Sequence, residues 1–548
     1  MDSVDWWLRP IAWLFARRPD LRDRSGRGLL RLGNRFYVLL AIVMALVGAW
    51  DQFVKPFSRQ LSRDNFDWLM THRPIPYRPS TAIVVLDIDE ASLAALAPEY
   101  GRWPWPRQVL ASVASRVEAA GAQAVMFDIL FADPDVANPA GDAAFDRYVA
   151  GSSNSFYPVA RLNPLTDTQS KVPVSMLNFA EPDPHAGQAL NPGRTIALIP
   201  PHFASIYDST RMGTHNIHPD ADNVVRWYDN YESLAGYRIP SLPDRMARAL
   251  HWPRQRQARS LINWPRGVAP YTTISYVDAF RAAGRNDAAY FSRFAGKVVL
   301  IGSTAPSLND IKATPIDSMH PGIYVLATAL DNTSRDRFLR PVRPLWIWIL
   351  EVAMLAASAR LFVRATRVTA VTRYFFIVPS SLLLISLLSV SVSDRLVDLS
   401  LPAALVLLYF AIAKTFETQL HAFVSGGGVF AATRREQHEG QLQIACLPGT
   451  VSKDTVRGLQ LRADACPIKV WEPVKSGLGV TWAAQGWILW RWHVPGSDPG
   501  PEPQPPLAWR NADPAPPAGD PFDLAHVIAA AAQSAWQAPE PRPSPEHT

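Results

Sequence analysis

Apolar positions follow two regimes along this chain. Long, nearly unbroken apolar runs occupy 36–50, 345–363, 375–392 and 399–413, whereas 55–340 carries short apolar bursts bounded by turn residues. The first run is near the lower limit for a bilayer span and gains length through Phe53 and Val54, past Asp51. The second and third are long enough to cross, and the fourth is short but can borrow neighbouring residues. Within 55–340 the bursts read as alternating strands and helices. Residues 82–89 and 122–131 are apolar runs of strand length, separated by a helix over 107–120 whose Val109, Leu110, Val113, Val117 and Ala120 recur mostly at three- and four-residue steps. Pro106 suits the first turn of that helix and Gly121 stops it.

The same pattern predicts a helix over 143–149, a strand over 156–160 and a Pro/Asn/Asp-rich surface loop over 163–193. Strands follow at 195–199 and 224–231, a helix at 241–250, a strand at 296–303, and a helix opened by Pro321 and running to Asn332. Strand–helix–strand units with apolar runs on both sides specify an α/β fold, a mostly parallel sheet with covering helices.

Such sheets bind ligands at the carboxyl ends of their strands, which is where Asp87, Asp89 and Asp128 fall. Asp87 and Asp89 equally suit capping of a helix at 91–96. Asp128 sits inside an apolar run, so its carboxylate must be paired or hydrogen-bonded, with Arg102 or Arg107 as the expected partner. Gly302-Ser303 ends another strand in a small-residue turn where a ligand could approach backbone. An ordinary tight turn is the commoner use of that pair, and no Gly-Lys-Ser/Thr follows to make a nucleotide loop.

Charge adds a topology. The formal charge is +6, and eight arginines between Arg9 and Arg35 precede the first apolar run, a membrane-orientation signal rather than a nucleic-acid footprint. Arg360, Arg364, Arg367 and Arg373 cluster at the end of the second run and in the connection after it, while the next connection carries only Arg395. Four crossings place both arginine-rich segments, and both termini, on the cytoplasmic side of an inner membrane with 55–340 in the periplasm. The expected layout is a basic N-terminus at 1–35 and an uncleaved signal anchor at 36–54, then the outer domain at 55–340. Spans follow at 345–363, 375–392 and 399–413, then a small β-rich domain at 425–492, with short strands at 442–446, 458–461, 468–471, 478–482 and 486–492, and a proline-rich tail with a short helix at 493–548. Ser425-Gly426-Gly427-Gly428 is expected to break any helix continuing from the last span, and 522–536 to be helical. Glu351 is the clearly intramembrane acid, suited to helix packing or, less commonly, a relay. The two cysteines, Cys446 and Cys466, build neither a disulfide framework in 55–340 nor a metal site, and no cofactor is expected.

The blocks Val84-Val85-Leu86-Asp87-Ile88-Asp89-Glu90, Gly101-Arg102-Trp103-Pro104-Trp105-Pro106-Arg107, Val125 to Phe131, Val299 to Thr304 and Pro321-Gly322-Ile323 together resemble the type 2 class of CHASE domains, extracellular sensory modules associated with bacterial cyclases and histidine kinases. The Trp-Pro-Trp-Pro-Arg block is the most specific. The resemblance implies one anchor, a sensory domain, three further spans and a cytoplasmic output domain. It also implies ligand-binding or signalling roles for Asp87, Asp89, Arg102, Trp103, Trp105, Arg107, Asp128, Gly302 and Ser303. The departure lies beyond Lys414, where no His-Arg-Asp, no Asp-Phe-Gly and no glycine-rich loop before a strand lysine occurs, so catalysis does not carry over. The expectation is a non-enzymatic membrane receptor for an unidentified periplasmic ligand, working through a separate cytoplasmic signalling partner. Nucleic acid is not expected as a partner, and a homodimer is an allowed arrangement. The rival reading is an envelope scaffold using the outer domain and the Pro-rich tail to bind partners; a third is an unrecognised enzyme within 425–492.

Overall fold

The computed structural model describes residues 35–183, 187–267, 269–364, 368–431, 441–448, 451, 456, 466–476, 479–493 and 509–511. Contacts divide the chain into two bodies, one of Arg59–Val342 with Leu384–Asp398, the other of Met1–Ser58, Arg343–Leu383 and Leu399–Thr548.

The first body is built on a seven-stranded sheet. Its strands are β1 (Ile83–Asp87), β2 (Ala124–Phe127), β3 (Ser155–Arg161), β4 (Leu198–Ile199), β5 (Met212–Thr214), β6 (Thr272–Ser275) and β7 (Val298–Gly302). The order is β6-β1-β7-β2-β3-β4, with β5 also on β3; every pairing is parallel except β3 with β4. Register is set by side-chain alternation. Val84, Leu86, Val125, Phe127, Val299 and Ile301 enter one apolar cluster, while Ile83, Val85, Ala124, Met126, Val298 and Leu300 enter another. Because side chains alternate with period two, the two clusters lie on opposite faces, and each must be covered.

Helix α1 (Arg35–Phe53) belongs to the other body; α2 (Arg59–His72), α3 (Glu90–Tyr100), α4 (Arg107–Ala119), α5 (Pro139–Gly151), α6 (Leu242–Ala249), α7 (Tyr276–Gly284) and α8 (Gly322–Arg335) accompany these strands. On one face, α4 inserts Val109, Leu110, Val113 and Val117, each at most 1% exposed, beside Ala279 and Ala282 of α7. Full burial of such a side chain contributes about 1.5–3 kcal/mol. On the other face, α2 inserts Phe66, Leu69 and Met70, and α8 is buried from Gly322 through Thr333. Its polar residues are all satisfied. Asp331 pairs with Arg335 at 2.8 Å and accepts from Ser80 N, and Asn332 Oδ1 accepts from Asn263 N at 2.7 Å.

The expected strand–helix–strand unit is present, with the predicted 107–120 and 143–149 helices at α4 and α5. The predicted strand at 195–199 narrows to β4, and that at 224–231 narrows to Trp227–Asp229 with a separate Tyr231–Leu234. The loop over 163–193 contains 3-10 turns at Pro164–Gln169 and Val174–Met176.

This body also incorporates the connection between two apolar helices. Arg340 and Pro341 pair in parallel with Arg395 and Leu396, Val342 N donates to Leu396 O at 2.9 Å, and Arg337 pairs with Asp394 at 3.2 Å. Asn65 donates to Asp398 at 2.9 Å. Beneath them Arg73, 1% exposed, donates to Asn263 Oδ1 at 2.7 Å, to the Trp264 carbonyl, and at 3.4 Å to Val390 O; burial and the neighbouring Arg266 hold its pKa down at about 10.

In the second body, α1, α9 (Pro344–Arg364), the first part of α10 (Val368–Val392) and α11 (Ser400–Ala431) are apolar. Trp348 Nε1 donates to Ala45 O at 3.0 Å, Tyr409 OH to Tyr37 O at 2.9 Å, and the Phe36 and Phe416 rings stack at 3.8 Å. Among the described residues three helices are long and apolar enough to cross a membrane, Arg35–Phe53, Pro344–Val363 and Arg373–Val392; Ser400–Phe416 is a shorter apolar stretch. The expected break at Ser425 to Gly428 does not occur, since α11 continues to Ala431. Glycine costs a helix only about 1 kcal/mol relative to alanine, too little to stop one already propagating. An antiparallel sheet follows, of β8 (Gln441–Pro448), β9 (Cys466–Ser476), β10 (Gly479–His493) and β11 (Arg510–Asn511), in the order β9-β10-β8-β11. The strands predicted at 478–482 and 486–492 are one strand, β10. Ala445, Val456, Trp487 and Leu489 form its apolar centre. The strand expected at 458–461 and the helix at 522–536 lie outside the described residues.

Candidate functional site

At the carboxyl ends of β1, β7 and β2, sheet pairing continues for one further residue on each side of β7. Ile88 N donates to Gly302 O, and Asp128 N to Ile301 O, both at 2.8 Å. The three chains then diverge around a cavity of about 770 Å³, lined by Ile88, Asp128, Ile129 and Ser303 from these ends. Trp103, Pro104, Trp105 and Arg107 close one side, and His215, Asn216, Asp310 and Lys312 another. This is the position an open parallel sheet reserves for ligands.

The tryptophan–proline block is positioned from both ends. Gly101 ends α3 at φ 77°, in the left-handed region that glycine enters without cost, and its N–H donates to Ala97 O. Trp105 is 1% exposed, edge-on to Trp103 at 5.0 Å and 5.8 Å from the Tyr276 ring. The Trp103–Pro104 peptide is cis. Pro106 then enters α4, so Arg107, its first residue, is held at the cavity wall, while Arg102 is exposed and does not line it.

Asp87 and Asp89 stabilise the chain itself. Asp87 accepts from Thr304 N at 2.8 Å and Thr304 Oγ1 at 2.6 Å, fastening the turn after β7; burial raises its pKa and the Thr304 bonds oppose that. Asp89 caps α3, accepting from Ser92 N at 2.7 Å and from the Ser92 and Ser275 hydroxyls. Ser303 Oγ donates to Ile88 O at 2.6 Å, which ties β7 to β1 at the cavity floor.

Asp128 differs from the sequence expectation. Neither Arg102 nor Arg107 pairs with it, and among the described residues nothing hydrogen-bonds its carboxylate. The topology explains this: α4 sends Arg107 to the tryptophan side, whereas Asp128 turns toward the far loop carrying Asp310 and Lys312. Burial, with the Asp310 charge second, pushes its pKa up to about 7 against the opposing Lys312. Gly302 makes that placement sterically feasible, because a Cβ there would lie 2.9 Å from the Asp128 Cβ and 2.6 Å from Ile323 Cδ1.

Asp310, Lys312 and His215 escape a reading by sequence. Lys312 pairs with Asp310 at 2.9 Å, Asp310 O accepts from Gly322 N at 2.9 Å, and His215 Nδ1 lies 3.4 Å from Val159 O with its pKa lowered by burial. Asp310 and His215 lie outside regular elements and Lys312 sits on a two-residue strand, Ile311–Lys312, paired with His320–Pro321, so none shows a periodic pattern, and only the sheet order brings them to β1, β2 and β7. Glu351 is far from this site in kind: fully buried in the second body, it lies against Gly48, with neither carboxyl oxygen hydrogen-bonded. Among the described residues no group of three or more His, Cys, Asp or Glu side chains is placed to hold a metal ion.

Compared with known proteins, the chain matches the family model described as CHASE2 domain over residues 38–361. No curated protein and no solved structure matches it.

Proposed function

The chain belongs to the CHASE2 domain family, and on that premise we propose that it is a membrane-bound sensor whose α/β body detects a periplasmic ligand and passes a conformational shift to the cytoplasmic side. The observation that carries this reading is the extent of the family unit. It begins inside α1 and ends inside α9, so the ligand-sized cavity is bracketed in sequence by two helices apolar enough to span a membrane. The arginine clusters support four crossings with both termini inside, α11 supplying the last through its Ser400–Phe416 stretch. The β8–β11 sheet is then a small, non-catalytic cytoplasmic module that hands the signal to a separate partner. For a signal to exist, the ligand must bind two states of the body unequally.

Protease added to intact spheroplasts should cut within 55–340 and spare 466–493. The reverse pattern overturns the topology. With topology established, a saturable ligand-dependent rise in the melting temperature of the full chain supports a sensor. Co-purification of a stoichiometric protein without any small-molecule response would instead favour the scaffold reading.

A further inference from the structure

Buried arginines in the α/β body are paired, with one exception. Arg161, 7% exposed, is held by Asp167 and Glu232 at 2.7 Å; Arg226, 3% exposed, by Asp67, Asp220 and Asp222; Arg245 by Glu181 at 2.9 Å; and Arg73 by Asn263 and the Trp264 carbonyl. Arg107 is 9% exposed; its Nε has no hydrogen-bond partner, as in Arg73 and Arg245, but unlike theirs its terminal nitrogens make no hydrogen bond to the described residues either, and no carboxylate among them is within ion-pair distance. It lines the cavity. Among the acids, buried Asp87, Asp167, Asp244 and Asp331 are all bonded, while Asp128, half-buried with its carboxylate open to the same cavity, is not. A buried ion without a partner costs several kcal/mol, and a counter-charge brought in from outside removes that cost.

The cavity lining mixes apolar Trp103, Ile129, Ile217 and Leu308 with polar Asn216 and Ser303. Its ionisable residues are Arg107 and Lys312 against Asp128, Asp133 and Asp310, two positive to three negative, with His215 held toward its neutral form by burial. With Lys312 already paired to Asp310, that balance leaves no cation excess for a phosphate or other polyanion. From these observations, and resting on the sensor reading above, we infer that the cavity binds a small zwitterion on an apolar frame, its carboxylate on Arg107 and its ammonium on Asp128. This is the chemistry of an apolar amino acid or a short apolar peptide.

The test uses the full chain in lipid nanodiscs, titrated calorimetrically with L-leucine, L-phenylalanine, Leu-Leu and Phe-Phe. 3-Phenylpropionate and phenethylamine serve as the two halves of the zwitterion. At least one of the four zwitterions should bind saturably, free amino acid or dipeptide identifying the source, and both halves should bind at least about tenfold more weakly. Arg107→Gln should weaken the zwitterion and 3-phenylpropionate but spare phenethylamine; Asp128→Asn should do the reverse to the halves. Should Arg107→Gln fail to fold, Arg107→Lys, which keeps the charge but loses the fork, takes its place with a smaller loss expected. Absence of saturable binding by all four zwitterions, or binding indifferent to both substitutions, overturns the inference. Binding with the expected pattern but without any change in the labelling of single cysteines introduced along α9 and α10 upholds the site and overturns the sensor reading. A ligand-dependent change produced only by molecules lacking the charge pair does the opposite.

Discussion

Asp128→Asn isolates the electrostatic cost of leaving a carboxylate beside Asp310 without a partner. Burial, then Asp310, lift the Asp128 pKa to about 7, so the folded state holds its proton more tightly than the unfolded chain does. Stability from this group is therefore complete below the unfolded pKa near 4 and is lost as pH rises toward 7. A difference of that size corresponds to at most about 4 kcal/mol, at about 1.4 kcal/mol per pH unit. Residual solvent access at the cavity reduces this to roughly 1–2 kcal/mol. For a body of this size that is about 3–6 °C of melting temperature. Tryptophan-fluorescence melts of the full chain in detergent, at pH values from 4.5 to 8, should show wild type and Asp128→Asn nearly coincident at the acid end. The variant should be more stable by that amount at pH 8. Asp310→Asn, made separately, should move the wild-type decline to lower pH. Parallel curves for wild type and Asp128→Asn across the range would refute the assignment of Asp128 as a strained, unpaired acid.

Three further outcomes follow from the packing. Gly213→Ala should destabilise the α/β body by roughly 2–3 kcal/mol or prevent folding, because a Cβ there would lie 2.6 Å from Leu242 N, backbone that cannot move aside; thermal melts of the full chain read this directly. Thr304→Val removes the 2.6 Å bond to buried Asp87 and should cost about 1–3 kcal/mol, more at pH 8 than at pH 5, since an unsatisfied carboxylate is least costly when protonated. Gly48→Ala should impair assembly of α1 with α9, because its Cβ would collide with the Glu351 carboxyl, and Glu351→Ala in the same chain should relieve that defect. Size-exclusion profiles of the two single variants and the double decide it, and additive losses would count against the contact.

The parts of the fold that could be read beforehand are those with strong contrast between apolar and polar positions. β1, β2 and β7 are fully buried five- or four-residue runs, and α4 shows a clean apolar stripe. The edge strand β6 went unread because Thr272-Thr273-Ile274-Ser275 is polar and partly exposed. Helix α7, which follows it, buries Tyr276 and Val277 in its first turn but beyond them only the small Ala279, Ala282 and Ala283, a face with little contrast in the sequence. α2 presents only Phe66, Leu69 and Met70 as buried positions in fourteen residues. At the site, the sequence points to Trp103, Trp105, Arg107, Asp128 and Ser303, which line the cavity, to Arg102 and Gly302, which do not, and to Asp87 and Asp89, which fasten local turns instead. The partner expected for Asp128 was misplaced because proximity in sequence to Arg107 says nothing about the direction in which α4 carries it.

The pairing of Arg340 and Pro341 with Arg395 and Leu396 gives the globular part a second mooring. A nick in the backbone at Arg343, between β-paired Pro341 and the start of α9, would sever one tether yet leave the outer turn of the α10–α11 hairpin still clasped. The body is consequently held to the connection between α10 and α11 by backbone pairing, as well as to α1 and α9 by the chain itself.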